Sequence, residues 1–148
     1  MFKTSEQLIL QLKIVLANSY ALYLKTQNFH WNIESKHTFQ ALHFLFEEQY
    51  QDLAKGIDDL AEQIRQLGSK APASFSAYAE WTIIEEGNID ATADEMLQQL
   101  AYDQTLLIDQ LKKAIQIAQK EQDEGTADLL ISRLRIHTKN RWILQSSL

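Results

Sequence analysis

The sequence predicts an all-α protein: a four-helix bundle with one long crossover connection between its second and third long helices. Three observations carry that prediction. Only four glycines and one proline occur in 148 residues, too few to punctuate a strand-rich chain. Apolar residues recur at three- and four-residue steps through four separate segments, the period of a helix with one face inward. The composition, 45% hydrophobic and 23% charged, suits a single core, so residues 1–148 are expected to form one domain.

The first helix is expected from about residue 4 to 32, carrying Leu8, Leu12, Val15, Leu16, Tyr20, Tyr23 and Leu24, with Thr4 or Ser5 as its cap. Ile9, Leu10 and Ile14 widen its apolar face, so it should be covered on more than one side. Gln11, Lys13 and Asn18 interrupt that stretch, which therefore reads as a buried amphipathic helix rather than a membrane span. The polar run Glu34-Ser35-Lys36-His37 breaks the pattern. A second helix then carries Phe39, Leu42, Phe46, Tyr50, Leu53, Ile57, Leu60, Ile64 and Leu67, and should end at Gly68. Gly56 sits inside it, where glycine costs about 1 kcal/mol relative to alanine, and points to a close helix approach.

Residues 69–92 form the crossover, with a short helix expected over Phe75–Ile84. A third long helix is expected over about 91–122, with Met96, Leu97, Leu100, Leu107, Leu111, Ile115 and Ala118 inward. Asp123-Glu124-Gly125 should break it, and Thr126 should cap a fourth helix through about Gln145.

With no cysteine, the chain has no disulfides, thiolate metal sites or cysteine nucleophiles. A net charge of −6 argues against binding nucleic-acid phosphates over the whole surface. The late cations Arg133, Arg135, Lys139 and Arg141 read as favourable charge near a helix C-terminus, or as a weak nucleic-acid patch. A cytoplasmic protein is the expectation.

The chemistry concentrates in the second helix. His43 and Glu47 stand four residues apart, as do Asp58 and Glu62, and each pair shares one helix face. His30-Trp31 lies just upstream, so a hairpin turn at residues 33–37 would bring His30 beside His43. Imidazole with carboxylate favours iron, zinc or manganese over calcium or copper(I). Asp58 lies 11 residues beyond Glu47, about 16 Å of helix, whereas metal–ligand bonds are about 2.0–2.2 Å. One straight helix cannot close both pairs on one metal, but a second, antiparallel copy could. Blander readings exist for each residue. Glu62 could pair with Arg65, Glu48 could replace Glu47, His37 and His137 read as surface or capping residues, and Trp31 and Tyr50 read as core packing. Glu47 is preferred over Glu48 because it stacks on His43. The only Glu-x-x-His, Glu34 to His37, falls in the turn, which disfavours a di-iron centre inside one subunit.

Several stretches resemble a known family. Asn28-Phe29-His30-Trp31-Asn32, Leu42-His43, Phe46-Glu47-Glu48-Gln49-Tyr50, Ile57-Asp58-Asp59-Leu60-Ala61-Glu62 and Ile64-Arg65 look like the Dps mini-ferritins, the DNA-protection-during-starvation proteins of bacteria. The likeness continues through Gly125-Thr126-Ala127-Asp128-Leu129-Leu130 to His137-Thr138-Lys139 and Trp142. The resemblance implies a ferritin-like fold, a homo-oligomeric shell of twelve subunits built from two-fold dimers, and the short connecting helix at the dimer contact. It implies a ferroxidase that takes iron as bound metal and substrate, oxidises iron(II) with hydrogen peroxide, and stores ferric mineral against oxidative stress. Carried over, His30, His43 and Glu47 come from one subunit, and Asp58 and Glu62 from its partner.

Three departures accompany the resemblance. Glu47 stands where relatives often have Asp, and the His30–His43 interval is one residue longer, a residue expected in the Glu34–His37 turn. The stretch Met1-Phe2-Lys3-Thr4-Ser5 carries one lysine in place of a basic DNA-binding tail. DNA binding is therefore expected to be weak or absent, and a non-catalytic DNA-coating protein is the alternative, followed by a structural bundle without chemistry. Asp123 and Asp128 match positions lining three-fold pores in relatives, with helix capping as the competing reading.

Overall fold

The computed structural model describes residues 4–148; the basic-tail expectation drawn from Met1-Phe2-Lys3 lies outside them. Five helices follow in order: α1 (Glu6–Asn32), α2 (Phe39–Gln66), α3 (Phe75–Trp81), α4 (Ala93–Lys120) and α5 (Glu124–Ser146), with no strand among the described residues. The side-chain pairings give the topology. Asn18 meets Gln110 and Lys25 meets Asp103, so α1 and α4 run antiparallel. Asp52 meets Arg133 and Gln63 meets Thr126, so α2 and α5 do too. The α1–α2 and α4–α5 hairpins thus form the bundle, and the crossover lays α3 against α1.

Local chemistry sets the helix ends. Ser5 caps α1 by accepting from the Leu8 amide, and Thr92 with Glu95 forms a full capping box on α4. At the end of α2, the Gly68 amide donates to the Arg65 carbonyl and the Ser69 amide to the Ile64 carbonyl. That Schellman pattern needs a left-handed residue, and Gly68 supplies it at φ 92°. The same pattern ends α4 with Gln122 in the left-handed position at φ 60°. This places the α4–α5 break at Glu121–Asp123, earlier than expected. The cap of α5 is Asp123 rather than Thr126: its carboxylate accepts from both the amide and the hydroxyl of Thr126, whose side chain is buried.

The core runs the bundle's length through Leu8, Leu12, Phe29, Phe46, Leu53, Leu60, Met96, Leu100, Leu111 and Leu130. Burying each such side chain stabilises the fold by about 1.5–3 kcal/mol. Helix α1 is long and apolar enough by composition to cross a membrane. Its apolarity has a core role, with Leu8, Leu12, Val15, Leu16, Leu22 and Phe29 buried by its neighbours. Leu24 and Phe39, expected inward, are exposed, and Tyr20 and Tyr23 are only half-buried.

Two polar clusters tie the helices together. Buried Asn18 donates to Gln110 on α4 and accepts from the Thr82 hydroxyl and the Ile83 amide, anchoring the crossover. Lys25 and Asp103 form a buried ion pair at 2.8 Å, though poorly aligned for a hydrogen bond. Burial pushes the Asp103 carboxyl up, with Lys25 pulling the other way.

The second cluster corrects two expectations. His137 is not at the surface but 1% exposed, and Arg133 is no C-terminal charge but a buried guanidinium. Arg133 donates to Asp52 on α2 and to His137 Nε2, while His137 Nδ1–H donates to the Gln104 amide oxygen on α4. Gly56 is the close approach expected from the sequence, since a Cβ there would lie 2.5 Å from Arg133 Cζ. A guanidinium can only donate, so His137 must be neutral to accept from it. Burial first, and Arg133 second, hold the His137 pKa well below the usual value of about 6.5. A base with a depressed folded pKa leaves stability intact above about pH 6.5 and removes it as pH falls below that, at up to about 1.4 kcal/mol per pH unit. Urea denaturation should therefore show the wild type losing stability between neutral and mildly acidic pH, and His137→Gln should flatten that slope. Equal slopes would contradict the buried, neutral ring.

Candidate metal centre

The last turn of α1 and the first turns of α2 place His30 and His43 face to face, their ring centres 3.8 Å apart and their planes 17° from parallel. Each ring is held by the other residue's backbone. His30 Nδ1–H donates to the His43 carbonyl at 2.6 Å, and His43 Nδ1–H donates to the His30 carbonyl at 2.7 Å. The His30 carbonyl is free for this because it lies in the final turn of α1, where carbonyls lack an intrahelical donor. The His43 carbonyl, inside α2, uses its second lone pair. Carbonyls only accept, so both Nδ1 atoms carry the proton, and each neutral ring keeps its lone pair on Nε2. Such a ring can ligate a metal through Nε2, with Nδ1–H making the supporting bond that ligating histidines normally have.

Aromatic neighbours complete the clamp. Phe39 stacks on His43 at 5.1 Å, and the Tyr50 ring meets His30 edge-on at 5.2 Å. His30 is buried and His43 half-buried. The turn over residues 33–38 absorbs the length of the His30–His43 interval, and His43 faces His30.

Glu47 is half-buried one turn beyond His43, whereas Glu48 is exposed on the adjoining face. Asp58 and Glu62 are both exposed farther along α2, and Glu62 forms no ion pair with Arg65 among the described residues. The 11 residues from Glu47 to Asp58 turn the helix to within about 20° of the same face, at 100° per residue. Glu47 and Asp58 therefore lie on one face of α2, with Asp58 and Glu62 at its far end. Among the described residues, no group of three or more His, Asp or Glu side chains is close enough to hold a metal. One chain brings the histidines together and leaves Asp58 and Glu62 apart from them.

An open groove of about 780 Å³ runs between α1, α3 and the crossover. Trp31, expected in the core, instead lines it at 65% exposure, with Phe75 at 78% and Ile89 at 61%. His37 is exposed in the turn. Asp123 is occupied in capping, while Asp128 stands exposed on α5.

Residues 9–148 match the ferritin-like domain. DNA protection during starvation protein 2 of Bacillus anthracis is 35% identical over 144 residues, covering 97% of this chain and 98% of its own. The crystal structure of a Dps protein from Vibrio cholerae overlays with a TM-score of 0.91 at 34% identity, over 95% of this chain and 88% of that one. Dps from Staphylococcus aureus overlays at 0.94 with 29% identity, over 99% and 97%. This chain belongs to the Dps family of mini-ferritins. The all-α, ferritin-like fold read from the sequence stands. Dps membership supports a general role in iron storage or DNA protection.

The supporting bonds of this Dps histidine pair were not legible in the sequence, because they use backbone carbonyls. Only the position of His30 at a helix end hinted at a free acceptor. Nitrogen-15 spectra of the neutral histidines should show the Nδ1–H tautomer for both His30 and His43. An Nε2–H signal from either would contradict the clamp.

Proposed function

We propose that the chain is a ferroxidase and iron store: it oxidises iron(II) with hydrogen peroxide at centres shared between two-fold-related copies, and lays down ferric mineral inside a twelve-subunit, cytoplasmic shell. The observation that carries this reading is the reciprocal clamp on His30 and His43, which ties up both Nδ1 atoms and leaves both Nε2 atoms as donors, while no set of three His, Asp or Glu side chains closes on a metal among the described residues of the single chain. Asp58 and Glu62 are the matching half, exposed farther along α2. Two α2 helices packed antiparallel about a two-fold axis would set the imidazole end of each against the acid end of the other. The groove next to Trp31 supplies apolar surface for that contact, and exposed apolar patches of this kind mark interfaces. The relative from Vibrio cholerae is described as a member of a ferritin-like diiron-carboxylate superfamily, which is the donor chemistry proposed here.

In this reading His30, His43 and Glu47 of one subunit, with Asp58 and Glu62 of its partner, bind the iron substrate. Imidazoles hold iron(II), and the carboxylates stabilise the harder iron(III) product. Two iron(II) ions give two electrons to one peroxide, its O–O bond breaks, and with two protons from solvent two waters form without releasing hydroxyl radical. Hydrolysis of iron(III) then builds the mineral and releases protons. The longer Glu47 side chain reaches the same metal from a position relatives often fill with Asp.

Asp58→Ala removes a carboxylate that is exposed and forms no ion pair among the described residues, so it should leave folding intact. Stopped-flow absorbance of iron(III) should show peroxide-driven oxidation falling by about 10–100-fold, the usual scale for losing metal-site support. An undiminished rate would remove Asp58 from the centre.

DNA coating is the second reading, favoured by the names of relatives such as the Bacillus anthracis protein. The charge of −6 per chain opposes it, and Arg133, one of the four late cations, is buried on Asp52. A gel-shift assay at low salt should show free DNA; a clear shift would favour coating.

A further inference from the structure

Four of the five tyrosines form one unbroken run of rings that ends on His30. From the histidine outward, ring centres are separated by 5.2 Å to Tyr50, 5.7 Å to Tyr23, 5.7 Å to Tyr20 and 4.9 Å to Tyr78. Tyr20 and Tyr23 share the His30 side of α1, Tyr50 comes from α2 and Tyr78 from α3. Three elements therefore contribute rings to one line. Tyr78 is buried and the other three are half-buried. Packing alone would be met equally by phenylalanine, which spares the cost of desolvating a hydroxyl. Of these phenols, Tyr78 has a short acceptor, the Pro72 carbonyl at 2.5 Å, and Tyr23 only a 3.5 Å contact from Gln27. What phenylalanine lacks is an oxidisable O–H.

We propose that the stack is a one-electron store for the histidine site; this rests on the peroxide reading above. Peroxide takes two electrons, and a site holding a single iron(II) gives one. Tyr50 supplies the second. One iron(II), one Tyr50 phenol, one peroxide and one proton become one iron(III), one tyrosyl radical and two waters. The peroxide O–O bond and the phenol O–H bond break, and the phenol proton ends in water. The next iron(II), with one proton, restores the phenol and becomes iron(III). The two steps sum to two iron(II), one peroxide and two protons giving two iron(III) and two waters. Between them, Tyr23 passes an electron and a proton to the Tyr50 radical, and Tyr20 and then Tyr78 repeat the step. The oxidising equivalent thus waits away from the imidazoles until a second iron arrives.

The test is freeze-quench electron paramagnetic resonance on the assembled protein, with iron(II) below one per subunit and peroxide in excess. Iron(III) absorbance is read in the same samples. The wild type should give a tyrosyl signal that disappears when more iron(II) is added. Tyr50→Phe should lose the signal. Tyr23→Phe should keep a signal confined to one tyrosine, with the iron(III) yield unchanged and the helical circular dichroism of wild type. Iron(III) without a tyrosyl radical in the wild type, or an equal radical in Tyr50→Phe, overturns the store alone. No iron(III) in the wild type overturns the ferroxidase reading and the store with it.

Discussion

The rigid rise of one helix is the constraint from which the functional reading follows. At about 1.5 Å per residue, α2 holds Glu47 and Asp58 too far apart to touch a common metal, while its turn angle keeps them on one stripe. No rotamer change closes that distance, because the longest acidic side chain spans only a few ångströms. In the proposed centre, a chain built this way would carry two half-sites. The donors are complementary in chemistry: imidazoles at one end, carboxylates at the other. An antiparallel neighbour is the simplest arrangement that joins unlike halves twice over.

Around that constraint, the fold does two jobs. The α1–α2 hairpin delivers His30 to His43, and the carbonyl left free where α1 ends becomes the acceptor that orients His43. The bundle fastens α2 to α5 and α4 through Asp52, Arg133, His137 and Gln104. Gly56 is part of this fastening, since only a missing side chain leaves room for the Arg133 guanidinium against α2. Sequence, packing and site thus meet in one helix.

Much of this could be read from residue spacing. The helical period gave the four long helices, and the scarcity of glycine and proline gave their length. Gly68 marked the end of α2 because a Schellman turn needs a left-handed residue. Gln122 hid the corresponding end of α4, because glutamine in that conformation carries no local signal, and the break was therefore placed too late. His137 and Arg133 misled for a related reason: charge and imidazole suggest surface, and only partners distant in sequence show that they are satisfied inside. Trp31 misled in the opposite direction. Its bulk suggests core, yet it is exposed on the groove between α1, α3 and the crossover. The two donor pairs on α2 could be picked out because i, i+4 spacing is a local property; the clamp between His30 and His43 could not, because backbone carbonyls leave no trace in side-chain identity.

The most direct test mixes two disabled subunits. Each of His43→Ala and Asp58→Ala removes one half-site, and a two-fold pair made of one of each still contains one complete centre. Co-expressed and purified as mixed assemblies, they should recover peroxide-driven iron(II) oxidation well above the residual rate of either variant alone. Mixed assemblies as inactive as the separate variants would mean that the histidines and the acids do not meet across a subunit boundary.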